Sequence, residues 1–133
     1  PVVVNGDIDS PEAARRALAA SGAAGVMVGR AMQGRPWLAA QIGDALAGRP
    51  PRPGPVGRAF GEMAAGHYED MLAHYGRALG LRVARKHVGW YLDEVGAPAD
   101  LRRALLTAGD PGQVLRALAA LERPGPGRER AAA

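Results

Sequence analysis

The chain has 133 residues, a formal net charge of +4 at pH 7 and no cysteine. This length suits one domain or two small ones, and a hydrophobic content of 47% is enough to build a core. Without cysteine the chain has no disulfide, no thiolate metal site and no cysteine nucleophile. The three histidines lack a metal-ligand motif, and no apolar run approaches the roughly 20 residues of a membrane span. We therefore expect no metal, no membrane and a cytoplasmic location.

The positive charge allows an RNA or phosphate partner without proving one. It comes from 17 lysines and arginines against 13 acidic residues, and such an excess is typical of proteins that bind polyanions. The first residue is not methionine, and the chain opens in the apolar run Pro1–Val4. A strand buried on both faces needs neighbours on both sides. We therefore expect this chain to be the C-terminal part of a longer protein.

The first 48 residues predict alternating strands and helices. A strand at 1–4 precedes a helix from 11 to about 20, and a strand at 26–28 precedes a helix from 36 to about 47. Ser10 and Pro11 are typical of a helix start, and Gly22 is typical of a helix end. So short a strand–helix–strand connection gives parallel strands. This α/β segment is expected to belong to a larger parallel fold.

Two loops in this segment fit a phosphate site. The first strand ends in Asn5-Gly6-Asp7, and the second ends in Gly29-Arg30. Glycine lets the backbone approach phosphate oxygens closely, and arginine offers a forked donor. In a (β/α)₈ barrel the loops after strands seven and eight commonly form such a site. Asp7 would contribute its backbone N–H while its carboxylate bonds nearby backbone. The alternative is that these are ordinary turns of a parallel sheet.

The rest of the chain predicts a Pro-rich linker at 49–57, a helical domain at 58–121 and a disordered tail at 122–133. Four prolines within the linker exclude helix. Apolar residues at three- and four-residue spacings then predict helices from Arg58 to about Leu79 and over Leu81–Val95, and Gly76 and Gly80 weaken the end of the first of them. Two shorter helices are expected over Asp100–Ala108 and Pro111–Leu121, the second capped by Asp110. The histidines and tyrosines of the first helix (His67, Tyr68, His74 and Tyr75) are expected to pack between helices.

The helix over Leu81–Val95 carries a candidate RNA-binding face. At 100° per residue, Arg82, Arg85 and Lys86 fall side by side around Gly89. Three cations around a glycine suit the close approach of a sugar-phosphate backbone, and such contacts give affinity without sequence information. The alternative is a solvated charged face in which Asp93 or Glu94 pairs the arginines. Packing is the preferred role for Trp90, with base stacking as the alternative.

Four blocks carry a resemblance to a known family. They read VVVNGDI, GVMVGRAMQGRPW, HYEDMLAHYG and RVARKHVGWYL, in that order along the chain. Together they resemble the C-terminal third to half of a bacterial tRNA-dihydrouridine synthase, over about residues 1 to 121. The resemblance is closest to the branch once named after nitrogen-regulation proteins.

This resemblance implies an α/β then all-α architecture. Residues 1–48 would supply the last two βα units of a (β/α)₈ TIM barrel that binds flavin mononucleotide (FMN), and residues 58–121 would form a small helical bundle domain that binds tRNA. The family reduces the 5,6 double bond of specific tRNA uridines, with NADPH recharging the flavin. Asn5, Gly6, Asp7, Gly29 and Arg30 would hold the flavin phosphate. A monomer is expected for the full-length protein.

The chain also departs from the family pattern. The catalytic cysteine of the family has no counterpart here and is expected upstream, so this segment alone is predicted to be inactive. The modified uridine, and the role of Arg35, are left open. Two other interpretations stay open as well. One is the end of another FMN- or phosphate-binding barrel oxidoreductase, such as a dihydroorotate-dehydrogenase-like enzyme, and the other is a stand-alone helical RNA-binding module.

Overall fold

The computed structural model describes residues 1–50 and 52–125, which divide into two compact units, Pro1–Gly54 and a second that begins at Pro55. The elements of the first unit are β1 (Val3–Val4), α1 (Pro11–Ser21), β2 (Gly25–Val26), a 3₁₀ turn (Arg30–Met32) and α2 (Leu38–Leu46). Those of the second unit are α3 (Arg58–Val95), α4 (Ala99–Thr107) and α5 (Pro111–Ala119).

The two strands of the first unit are parallel, as the short connection predicts. Val3 pairs with Gly25, and Val4 pairs with Val26. Both strands are shorter than predicted. The prediction that the first strand is buried on both faces is wrong for this structure, because Val2 and Val3 are 70% and 58% exposed. The cause is that the sheet of the described residues has only two strands.

The core of the first unit lies between the sheet and helices α1 and α2. Its buried members are Ile8, Ala14, Leu38 and Ile42. The predicted start of α1 is confirmed, since Ser10 Oγ accepts a hydrogen bond from the Ala13 amide at 3.2 Å. Its predicted end is confirmed too, with Gly22 in the left-handed conformation at φ 66°. Both caps thus fix the ends of α1, the helix that connects the two strands.

The segment after α2 is bound to the buried carboxylate of Asp44 through two arginines. The Asp44 side chain is 5% exposed, and it accepts hydrogen bonds from Arg49 Nε at 3.0 Å and Arg52 Nε at 2.8 Å. Gly54 packs against the indole of Trp37, where an added Cβ would lie 2.5 Å from Nε1. The first part of the predicted linker is thus fixed to its own unit by charge pairing and close packing.

This carboxylate gives the first unit an acid-sensitive contact. Hydrogen bonds from Arg52 and Arg49 lower the pKa of Asp44 to about 2, from 3.8. A folded-state pKa below the unfolded one stabilises the unit above about pH 3.8, and the contribution is lost as the pH falls through about 2. We expect Asp44→Asn to lower stability at neutral pH and to approach the parent as the pH falls below about 2. Trp37 fluorescence during acid titration, in a Trp90→Phe background, measures this, and identical pH profiles would contradict it.

Helix α3 of the second unit bends at Gly76, whose φ is 72°. Two arms result, which we call the N-terminal arm (residues 58–75) and the C-terminal arm (residues 77–95). The predicted division into two helices is confirmed, and it lies at Gly76, a few residues before the predicted boundary at 79–81. Gly80 lies within the C-terminal arm and packs against the other arm, where an added Cβ would lie 3.0 Å from Leu72 Cα. The glycine at 76 permits the turn, and the glycine at 80 permits the close approach of the arms.

The core of the second unit is built from α3 and the two short helices. Its fully buried large side chains are Phe60, Tyr68, Leu92 and Leu118. The predicted cap of α5 is confirmed, because the Asp110 carboxylate accepts from the amides of Gly112 and Gln113, both at 3.1 Å. Gly61 lies under the end of α5, with an ideal Cβ 2.5 Å from the Leu121 carbonyl oxygen. The carbonyl oxygens at the end of α5 therefore occupy the space that a larger side chain at position 61 would need.

The segment after α5 is anchored at Arg123. Its Nε donates to Glu94 at 2.8 Å, and its carbonyl accepts from the Gly57 amide at 2.8 Å. The structure therefore differs from the prediction of a disordered tail from residue 122, since both side chains of this ion pair are mostly buried. The remainder of the predicted tail, residues 126–133, lies outside the described residues.

Candidate functional site

The two predicted phosphate loops lie at the same edge of the sheet, because parallel strands end on the same side. Between them is an open cleft of about 310 Å³. All five predicted phosphate residues line it, together with three neighbours; the full set is Asn5, Gly6, Asp7, Ile8, Met27, Gly29, Arg30 and Ala31. The fold thus brings together residues that are more than twenty positions apart in the sequence.

The Asp7 carboxylate has a partner that the sequence did not indicate. Arg30 Nη2 donates to Asp7 Oδ1 at 2.5 Å, whereas the carboxylate was expected to bond nearby backbone. The two side chains are 83% and 82% exposed. An ion pair so exposed contributes little to stability. The pair nevertheless holds the guanidinium over the cleft, and its other N–H donors remain available to an anion.

The backbone of the first loop is shaped for close approach. Gly6 has φ 131°, and Asp7 is the one described non-glycine residue with positive φ, at 45°. An added Cβ at Gly6 would meet no protein atom within 4 Å, and one at Gly29 would meet only Met27 Sδ at 3.9 Å. The space beside both glycines is therefore open to a ligand rather than filled by the protein. The cleft therefore presents two open glycines and one guanidinium, which is paired with the Asp7 carboxylate.

The predicted RNA-binding cations lie on the C-terminal arm. Arg82, Arg85 and Lys86 are all exposed. Within residues 1–50 and 52–125 no carboxylate lies within 4.0 Å of any of them. The alternative in which Asp93 or Glu94 pairs these cations is wrong, because the carboxylates pair with Arg102 and Arg123 instead. The positive charge of the arm is thus free to meet an anion.

Gly89 does not lie open at the centre of this face as predicted. It is buried, and Arg102 of α4 donates from Nη1 to its carbonyl oxygen at 2.9 Å. An added Cβ would lie 3.3 Å from Arg102 Nη2. The same guanidinium pairs with Asp93. The glycine therefore makes room for an arginine of the protein itself, already paired with Asp93, which no local pattern could reveal.

Two aromatic residues border the same arm. The Trp90 ring lies edge-on to the His87 imidazole at 4.8 Å, and Lys86 Nζ lies 6.0 Å from the indole centroid. Burial, then the neighbouring His67 and Lys86, lower the pKa of His87. The lowered pKa favours the neutral form of the imidazole. Trp90 is half-buried, in keeping with the preferred packing role.

The aromatic residues of the N-terminal arm divide into two groups. Tyr68 is buried, and His67 Nδ1 is 2.7 Å from the Tyr91 hydroxyl, so both pack as predicted. His74 and Tyr75 are exposed, and the prediction that they pack between helices is wrong. The reason is the turn at Gly76, which ends the contact between the arms before it reaches Tyr75.

Comparison with known proteins places the chain. A family model for dihydrouridine synthase matches residues 1–123. The chain belongs to the dihydrouridine synthase family. It is 53% identical over 115 residues to the probable tRNA-dihydrouridine synthase of Rhodobacter capsulatus, with 86% of this chain and 35% of that protein covered. It is 43% identical over 111 residues to tRNA-dihydrouridine synthase B of Xanthomonas axonopodis pv. citri, with 84% and 33% covered.

This member of the dihydrouridine synthase family spans about a third of the length of the curated relatives it matches. The dihydrouridine synthase domain has a TIM-barrel-type fold. The described residues contain two parallel strands, and the remainder of their regular structure is helical. No helix in that part of the chain is long and apolar enough to cross a membrane. Its acidic and histidine side chains form no group of three that could hold a metal ion.

Proposed function

We propose that this chain supplies the flavin-phosphate loops and the tRNA-binding helices of a tRNA-dihydrouridine synthase. The observation that carries the proposal is the pairing of two features in one family member. One is the cleft between the strand ends, and the other is the C-terminal arm of the helical unit, whose basic side chains have no carboxylate partner within the described residues. An enzyme that reduces a base within a tRNA needs a cofactor site and a means of holding a large polyanion.

The first unit would hold the phosphate of FMN. Arg30 would donate to the phosphate from the N–H groups that Asp7 leaves free, and the backbone at Gly6 and Gly29 would approach it closely. When bound, FMN supplies hydride-transfer chemistry for the uracil 5,6 double bond, with NADPH as the external reductant. The chain has no cysteine to protonate the ring. We therefore expect these residues to bind and orient the cofactor rather than to catalyse.

The second unit would hold tRNA through phosphate contacts. Three cations, Arg82, Arg85 and Lys86, are exposed and unpaired within the described residues. An unpaired cation contributes more binding free energy to a phosphate contact than one that must first leave a carboxylate. Arg102, which is bonded to the Gly89 carbonyl and paired with Asp93, would add no net charge to these three. Such contacts position a nucleic acid without reading its bases. Uridine choice would then depend on other contacts.

The alternatives explain fewer of these features. A dihydroorotate-dehydrogenase-like oxidoreductase acts on a small molecule and has no use for a free basic arm, and the family match favours a dihydrouridine synthase. A stand-alone RNA-binding module leaves the cleft without a role. A tRNA-dihydrouridine synthase has a role for both the cleft and the basic side chains.

The test is to map each ligand onto the chain by NMR, which suits a protein of 133 residues. Amide signals of the ¹⁵N-labelled chain are followed as unmodified tRNA, FMN or riboflavin is added. We expect tRNA to shift residues of the C-terminal arm, and FMN to shift the loops at 5–7 and 29–31. Riboflavin lacks the phosphate and is the matched control, so it should leave the loops unchanged. Equal shifts from FMN and riboflavin, or tRNA shifts confined to the first unit, would contradict the proposal.

A further inference from the structure

The turn between the two arms of α3 exposes apolar and aromatic side chains that no role described above uses. We call residues 74–79 the tip. Tyr75 is 45% exposed and Leu79 is 49% exposed. The His74 imidazole lies edge-on to the Tyr75 ring, with 4.6 Å between the ring centroids. Every residue of the tip is exposed. Tyr75 and Leu79 thus face water on either side of the turn at Gly76, and exposed apolar side chains so close to one turn indicate a contact surface.

The charges around the tip favour RNA as the occupant of that surface. Arg77 lies within the tip, is exposed, and has no carboxylate within 4.0 Å among the described residues. Arg82 and Lys86 follow on the same arm, at successive turns of the helix. The acidic residues Glu69 and Asp70 are on the N-terminal arm, more than one turn before Tyr75. A polyanion would therefore approach along the C-terminal arm and reach the tip.

We propose that the tip is a base-stacking contact, in which Tyr75 and Leu79 pack on unpaired bases of the tRNA while the basic arm holds the adjacent phosphates. The inference rests on the proposed tRNA-binding function and adds a contact that is apolar rather than ionic. Single-stranded loops and bulges are the parts of an RNA whose bases can be stacked on an aromatic ring. A tip with two apolar side chains beside unpaired cations matches that chemistry better than an apolar protein surface, which requires a larger continuous patch.

The distinguishing property of stacking is that salt affects it little. Binding of labelled, unmodified tRNA is measured by fluorescence anisotropy at several salt concentrations, with the whole chain. We expect Tyr75→Ala, and separately Leu79→Ala, to weaken binding about fivefold or more at every salt concentration, since each stacked base contributes substantially. The slope of log affinity against log salt should stay as in the parent, because no phosphate contact is lost. Tyr75→Phe should bind as the parent does.

Two controls make the test specific. Val56→Ala removes another exposed apolar side chain of the second unit, 42% exposed, and should leave binding unchanged. A fully paired RNA duplex should bind the parent and the tip variants equally. The inference is overturned if Tyr75→Ala binds tRNA as tightly as the parent while removal of the basic side chains weakens binding. In that outcome the tRNA-binding function stands. Failure of the parent to bind tRNA overturns both, and loss of self-association in the tip variants, without a change in RNA binding, identifies a protein contact instead.

Discussion

Replacing Gly61 by alanine is expected to destabilise the second unit by about 3 kcal/mol. An ideal Cβ at this position would lie 2.5 Å from the Leu121 carbonyl oxygen, and 2.8 Å from those of Ala119 and Leu118. All three contacts are to backbone, so no side-chain rotation can relieve them. Helix α5 must move away from the N-terminal arm, and its buried Leu118 moves with it. Urea unfolding followed by helical circular dichroism measures the loss.

Gly66→Ala is the matched control for this substitution. Gly66 lies in the same arm, but a Cβ there would meet nothing within 4 Å. Alanine is favoured over glycine within a helix by about 0.5–1 kcal/mol, so this variant should be more stable than the parent. Opposite signs for the two substitutions would identify the contact with α5 as the cause. A Gly61→Ala variant as stable as the parent would contradict the described packing of α5 on α3.

The sequence predicted well where neighbouring residues decide the structure. Ser10, Gly22 and Asp110 cap helices as their residue types indicate, since each cap is made by atoms within four positions. The strand-end loops were also predictable, because parallel strands bring their ends together whatever the rest of the fold contains. The five predicted residues are among the eight that line the cleft.

The features that sequence reasoning missed all depend on distant residues. Arg102 reaches Gly89 across thirteen positions, and no helical spacing relates the two. The bend at Gly76 rather than Gly80 is decided by packing, because Gly80 is pressed against Leu72 of the other arm while Gly76 is free to take a positive φ. The exposure of Tyr75 follows from that choice. A periodic pattern of apolar residues shows which face of a helix could be buried. It does not show where the helix that covers this face ends.

Substitution of Arg82, Arg85 and Lys86 together by alanine is expected to have the largest effect on tRNA binding. Each phosphate contact releases about 0.7–0.9 of a counterion, so three lost contacts should flatten the slope of log affinity against log salt by about two to three units. The loss should be greatest at low salt, where counterion release favours binding most. The three side chains are exposed and make no ion pair within residues 1–50 and 52–125, so their removal should leave the fold intact.

A second triple variant controls for net charge. Arg16, Arg58 and Arg103 are exposed arginines outside the C-terminal arm, and their replacement by alanine removes the same charge. This control should bind tRNA nearly as the parent does and keep most of the salt slope. Equal losses in the two triple variants would mean that overall charge, rather than the arm, governs binding. Circular dichroism of both variants checks that their helices are retained.

We propose that the helical unit of this dihydrouridine synthase family member holds tRNA by the basic side chains of its C-terminal arm. The measurement that tests it most directly is anisotropy of labelled, unmodified tRNA titrated with the whole parent chain at two salt concentrations. We expect the chain to bind tRNA at low salt and to bind it much more weakly at the higher salt, because phosphate contacts depend on counterion release. A chain that ignores tRNA at low salt would contradict it, and the unpaired cations of the C-terminal arm would then be a solvated surface.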